Sequence, residues 1–281
     1  MTVSTDNAVS SVEATGERRS TRELVVAVFF GPVSQAAAMA LASLRVPPPA
    51  LVLANAAAGI VAAVALGEGS LVLAALLLQL KTLLDNADGR LARASGRVTL
   101  LGRYLDTEAD LAVNVLLFAA LGYVTGQPLL ALVAFCALTL VLSVNFNLAE
   151  LYRESRGESA EPPEPSGART ERGLARIYRT VYAPQDRLIR GTSAARLAAV
   201  LRDEQDPVNR RAATVAYHDR LVVTVLANLG LSTQLVVLGI CLVLGTPVLY
   251  LWLVLASLAL LPFLQLRREW RARSALNSGS A

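Results

Sequence analysis

Four aspartates, two glycines and an arginine make up the part of this sequence that is equipped for chemistry. Asp85, Asp88, Gly89, Ala92 and Arg93 fall in one short stretch, and Gly102, Asp106 and Asp110 in the next. Asp85 and Asp88 are three apart and share a helix face, while Asp106 and Asp110 are four apart, roughly 40° from alignment at about 100° per residue. A turn around residues 94–98 that folds the two helices antiparallel brings all four carboxylates together. Four anions at such range repel strongly in a medium of low dielectric, and bound cations make the arrangement tolerable. Oxygen-only ligation favours Mg²⁺ or Mn²⁺, and four carboxylates have the capacity for two ions. Two metals bridged by carboxylates suit displacement at phosphorus: they clamp a diphosphate, stabilise the leaving oxygen and acidify an attacking hydroxyl. Gly89 lets the backbone approach a ligand, Gly102 lets helices or a nucleotide pack closely, and Arg93 offers a planar fork to phosphate oxygens. Each acid taken singly also reads as a solvated connection, and Glu108, off the shared face, reads as solvated or paired to an arginine. The joint pattern is what carries the chemistry.

The elements that hold these residues are membrane helices. Of 281 residues 54% are apolar and 17% charged, and the mean hydropathy is +0.49, whereas soluble domains carry about a quarter charged residues. Apolar runs long enough to cross a bilayer occupy 49–67, 70–88, 101–124, 127–151, 221–245 and 247–266. The second ends in acids and the third begins with them, so the aspartates sit on the polar ends of two neighbouring spans. Gly67, Gly126, Pro128, Gly245 and Pro247 punctuate short turns that hold no Lys or Arg. Basic residues interleaved with acids, with few aromatics among them, argue against nucleic acid as a partner. Cys136 and Cys241 lie far apart in apolar runs, which excludes a disulfide framework and fits a reducing compartment.

Residues 24–44 are apolar enough to span but hold Pro32, Ser34 and Gln35. With six crossings all 26 Lys and Arg fall on one side; with seven, Arg18, Arg19 and Arg22 fall opposite the rest. The expected fold is therefore an all-α integral membrane protein, with six transmembrane helices preceded by an interfacial amphipathic helix. The active site and both termini face the cytoplasm, at the plasma (inner) membrane. The expected organisation is a disordered cytoplasmic tail over 1–22, then the interfacial helix and four spans carrying the aspartates over 23–152. A cytoplasmic linker with short amphipathic helices follows over 153–220, two further spans over 221–266 and a cytoplasmic tail over 267–281.

At these residues the sequence resembles the CDP-alcohol phosphotransferases, whose signature D-x2-D-G-x2-A-R-x8-G-x3-D-x3-D is filled at every position by Asp85, Asp88, Gly89, Ala92, Arg93, Gly102, Asp106 and Asp110. The motif covers 26 residues and is highly specific. The resemblance implies that an acceptor hydroxyl attacks the β-phosphorus of a CDP-linked alcohol and releases CMP. It also implies that the four aspartates ligate two divalent metals and that Asp110 doubles as general base. Asp85, Gly89, Ala92, Arg93 and Gly102 would contact the CDP, and a homodimer is the common state. One departure stands out: many members start their first span with Pro-Asn and a Thr three residues later, where this sequence has Pro48, Pro49, Ala50, Leu51, Val52 and Leu53. Either Asn55, the first polar residue, takes a related role or the nucleotide loses that contact.

The favoured donor is CDP-diacylglycerol, because a site at the inner leaflet suits a lipid donor, and the context is phospholipid biosynthesis. The acceptor is a small polyol, a polyol phosphate or a lipid. A CDP-polyol or CDP-aminoalcohol donor with a lipid hydroxyl acceptor is the alternative, as is a catalytically silent membrane binding protein. A phosphorylated acceptor calls for arginines, for which Arg187, Arg190 and Arg220 are the candidates; as juxtamembrane cations they also read as purely topological.

Overall fold

The computed structural model describes residues 23–96, 99–158 and 169–279. The expected tail over 1–22 and residues 159–168 of the expected 153–220 linker lie outside the described residues. A π-helical turn, Val26–Phe30, leads into α1 (Gly31–Ser43). Then follow α2 (Pro48–Gly67), α3 (Leu71–Ala94), α4 (Leu100–Thr125) and α5 (Pro128–Glu154). The second half holds α6 (Arg169–Val200), α7 (Pro207–Tyr217), α8 (Arg220–Ala227), α9 (Leu231–Val243) and α10 (Pro247–Gly279). Among the described residues there is no strand.

Prolines at the first positions of α2, α5, α7 and α10 pre-set helical φ where no intrahelical N–H is required. Gly126 closes α4 in the left-handed conformation (φ 65°), which a residue without Cβ adopts freely. The core is built where α2 and α3 cross through small residues: Ala62, Ala63, Leu66, Ala74, Ala75 and Leu78 are all buried. Small side chains let the backbones approach closely, the main source of helix association in lipid. Gly59 shows how close: a Cβ there would lie 2.5 Å from a Val113 methyl and 3.2 Å from Lys81 Cδ.

Among the described residues six helical segments are long and apolar enough to cross a membrane: Val26–Ser43, Pro48–Gly67, Leu100–Thr125, Pro128–Glu154, Pro207–Val243 and Pro247–Ser278. This set differs from the sequence expectation by one exchange, since α3 carries Lys81, Asp85 and Asp88 in its first 18 residues and Val26–Ser43 takes its place. Helix α3 packs against α1, α2 and α9 and leaves Val72, Leu73, Leu76 and Leu80 exposed.

The amphipathic pattern expected of 24–44 is not what the structure has. Ser34 is fully buried and Gln35 accepts a hydrogen bond from Arg90 (2.9 Å), while Val28, Phe29, Val33 and Met39 are exposed. The polar residues thus face the protein. Ala38 packs on Ala87 and Leu91, which seats α1 on the polar end of α3.

Three further expectations change. The run 221–245 is two helices, α8 and α9, broken at Asn228–Gly230. The break is held from the N-terminal side: Leu24 N–H donates to Asn228 Oδ1 (2.8 Å), and Thr233 N–H donates to Glu23 Oε1 (3.0 Å). Where short helices were expected, α6 runs for 32 residues with Pro184 inside it. The tail expected from 267 onward continues α10, because Arg267 pairs with Asp219 (2.7 Å) and buried Arg268 bonds to Tyr217 and Ser193.

Candidate active site

The site grows from the facing ends of α3 and α4. Nothing between Leu71 and Ala94 breaks a helix, so Lys81, Asp85 and Asp88 at spacings of four and three line one face of α3. Thr99 starts α4 by accepting a hydrogen bond from Gly102 N–H (3.0 Å), which fixes the rotational phase of Asp106 and Asp110 behind it.

Asp85, Asp88 and Asp106 each present a carboxylate oxygen within 4.8 Å of the others. Asp88 is 7% exposed, and Asp88 Oδ2 and Asp106 Oδ1 are buried with no hydrogen-bond partner. Buried carboxylate oxygens without donors call for a cation. Asn55 on α2, 1% exposed, donates from Nδ2 to Asp85 Oδ1 (2.9 Å) and orients it. Asn55, the first polar residue of the first expected span, thereby adjoins the acidic cluster.

Asp110 lies outside that group of three. Its Oδ1 accepts from the ammonium of Lys81 at 2.6 Å, with the Lys81 side chain fully buried. Three of the four aspartates therefore converge, and the fourth is held by a lysine. In the sequence Lys81 is one of the 26 Lys and Arg that count as positive-inside cations. A signal was available: a lysine four residues before Asp85 inside an apolar run shares its face and has nowhere to snorkel. With one buried ammonium against four carboxylates, the site retains a net negative charge suited to a hard divalent ion.

The remaining residues are placed as follows. Gly89 faces Arg93: a Cβ added there would meet its guanidinium at 3.5 Å, an ordinary contact. Arg93 is exposed, and Ala92 and Gly102 are half-buried. Glu108, expected to be solvated or paired, has a buried Oε1 with no hydrogen-bond partner. Arg187 and Arg220 are exposed. Arg190 is engaged: its Nε donates to Asn147 Oδ1 (3.1 Å), and its guanidinium pairs with Glu154 (2.9 Å) and Glu150 (3.6 Å). Together with Ser143–Gln185 (2.8 Å) and Asn147–Asp186 (2.6 Å), these contacts fasten α6 to the polar end of α5.

The CDP-alcohol phosphatidyltransferase family model matches residues 45–170. Over that stretch the chain is similar to a CDP-alcohol phosphatidyltransferase domain. The matched stretch includes α2 to α5 and contains the acidic cluster, Lys81 and Asn55. A bifunctional IPC transferase and DIPP synthase of Thermococcus kodakarensis is 40% identical over 79 residues, 28% of this chain and 18% of that protein. The matched stretch is thus less than a fifth of the relative's length. No solved structure matches the chain. Over residues 45–170 the chain is thus similar to CDP-alcohol phosphatidyltransferases, a family that uses divalent metals, and the triad Asp85, Asp88 and Asp106 is able to bind one.

Proposed function

We propose that this protein transfers a phosphatidyl group from CDP-diacylglycerol to a hydroxyl acceptor and releases CMP, in phospholipid biosynthesis. The observation that carries the reading is the convergence of Asp85, Asp88 and Asp106 with two unpartnered carboxylate oxygens. These aspartates would hold the divalent ions, Mg²⁺ or Mn²⁺, with Asp110 joining them as ligand when two are bound. When bound, such ions supply charge neutralisation of the diphosphate and of the leaving oxygen.

The chain's own residues do the rest. Gly89, Ala92, Arg93 and Gly102 line the space for CDP, Arg93 with its fork on phosphate oxygens. Asn55 holds the Asp85 carboxylate in one orientation. The acceptor hydroxyl oxygen attacks the β-phosphorus, the bond from that phosphorus to the bridging oxygen breaks, and CMP leaves with the electron pair. Asp110 takes the hydroxyl proton, and Lys81 fixes the Asp110 carboxylate for that task. Exposed Arg187 suits a phosphorylated acceptor better than Arg190, whose guanidinium is already committed to Glu150 and Glu154; Arg220 is exposed as well. The cytoplasmic face of the plasma membrane fits all the chemistry lying with the cations, and a homodimer is part of the reading.

Purified protein with CDP-diacylglycerol, Mg²⁺ or Mn²⁺ and a panel of polyol, polyol-phosphate and lipid acceptors tests it. Metal-dependent CMP release with one acceptor class is the expected result. Release from a CDP-polyol or CDP-aminoalcohol with a lipid acceptor, but not from CDP-diacylglycerol, would reassign the donor. No release from any donor would leave a membrane binding protein.

A further inference from the structure

A second site lies away from the aspartates. Helices α5, α6, α8 and α10 enclose a cavity of about 280 Å³ that shares no lining residue with the acidic cluster. One wall is apolar, from Val144 and Leu148 on α5, Leu226 on α8, and Leu261 and Leu264 on α10. The other is polar and cationic, with Ser193, Arg196, Gln265 and Arg268.

Arg268 is the unusual member. It is 3% exposed, and among the described residues no carboxylate lies within ion-pair distance of it. Its Nε donates to the Tyr217 carbonyl (3.3 Å), Nη1 to Gln265 Oε1 (3.0 Å) and Nη2 to Ser193 Oγ (2.9 Å), all neutral acceptors. The guanidinium also stacks on the Tyr217 ring, 4.0 Å from its centroid. A guanidinium has five N–H donors, so two remain for another partner. A buried cation surrounded only by neutral groups is costly until an anion joins it. Arg196 puts a second guanidinium on the same cavity, its nearest carboxylate, Glu269, being 3.5 Å away.

The depth of the cavity narrows the ligand. Along α5 the wall residues Val144 and Leu148 come just before Glu150 and Arg153; along α10, Leu261 and Leu264 come just before Arg267 and Arg268. Both helices change from apolar to charged here, which is the headgroup level of a bilayer. We infer that this cavity binds an anionic phospholipid, its phosphate on Arg268, Arg196 and Ser193 and the start of its acyl chain along Val144, Leu226 and Leu264. Paired guanidiniums match phosphate oxygens, and the apolar wall is what a free phosphate would leave unused. The inference is independent of the transfer reaction.

Native mass spectrometry of the full chain released from nanodiscs containing equal phosphatidylglycerol and phosphatidylcholine tests it. Wild type retains phosphatidylglycerol in preference, and Arg196→Ala weakens retention about tenfold, the loss of one charge-assisted contact. Arg268→Gln also releases helix contacts, so Val144→Phe serves as the second variant: it fills the cavity, leaves every Arg268 bond in place, and abolishes retention with an unchanged melting temperature. Equal retention of both lipids, or retention by Val144→Phe equal to wild type, would overturn the site. Displacement of the lipid by low-millimolar inorganic phosphate would overturn its amphiphilic half and leave a free-phosphate site.

Discussion

The fully buried ammonium of Lys81 on α3 lies 2.6 Å from the Asp110 carboxylate on α4. This pair binds the two helices that carry the aspartates, and it partly offsets an acidic cluster that would otherwise push them apart. Lys81→Met removes the cation and leaves Asp110 charged among three other carboxylates. The expected cost is roughly 3–5 kcal/mol, as for other buried pairs broken on one side. It is read as a fall in melting temperature in detergent. Millimolar Mg²⁺ should recover more of that loss in the variant than it adds to wild type, because the ion replaces the missing positive charge.

Neutralising an aspartate should act in the opposite sense on the empty fold. Asp88→Asn removes one of the mutually repelling charges and keeps the volume, so the metal-free protein should melt no lower than wild type. Mn²⁺ affinity, followed by electron paramagnetic resonance, should fall sharply, and CMP release with it. Unchanged Mn²⁺ affinity would remove Asp88 from the ligand set. In wild type, chelation should stop CMP release and added Mg²⁺ or Mn²⁺ should restore it.

Asn55 holds the Asp85 carboxylate by a hydrogen bond. Asn55→Ala should leave the fold intact while lowering metal affinity by roughly 10–100-fold, the usual effect of losing a partner that orients a ligand. Raising the metal concentration should then recover activity. A defect confined to the KM for the CDP donor, with metal affinity unchanged, would instead make Asn55 a nucleotide contact.

Two glycines should separate packing from binding. Gly59→Ala drives a methyl into Val113 and the Lys81 stem, costing roughly 1–3 kcal/mol as overpacking does, and appears as a lower melting temperature. Gly89→Ala meets only the movable Arg93 guanidinium at an ordinary distance. Its melting temperature should stay near wild type while the KM for the CDP donor rises.

The acidic cluster was legible because its determinants are local: spacings of three and four set the face, and a short turn sets the antiparallel pairing. Glycines and prolines located the turns for the same reason. What the sequence concealed depends on partners far along the chain. Lys81 looked like a topological cation until α4 supplied Asp110. Ser34 and Gln35 looked like the wet face of an amphipathic helix, yet Arg90 and the protein interior receive them. The run 221–245 has no proline to announce the break at Asn228–Gly230, which takes its partners from residues 23 and 24.

That last contact also sets an order of events. Glu23 leaves the ribosome early, but the Thr233 N–H it binds is made 210 residues later. The joint between α8 and α9 therefore closes only after residue 233 has been made, well after α1 has α3 to settle on. A chain cut past Glu23 loses the clasp that this joint uses.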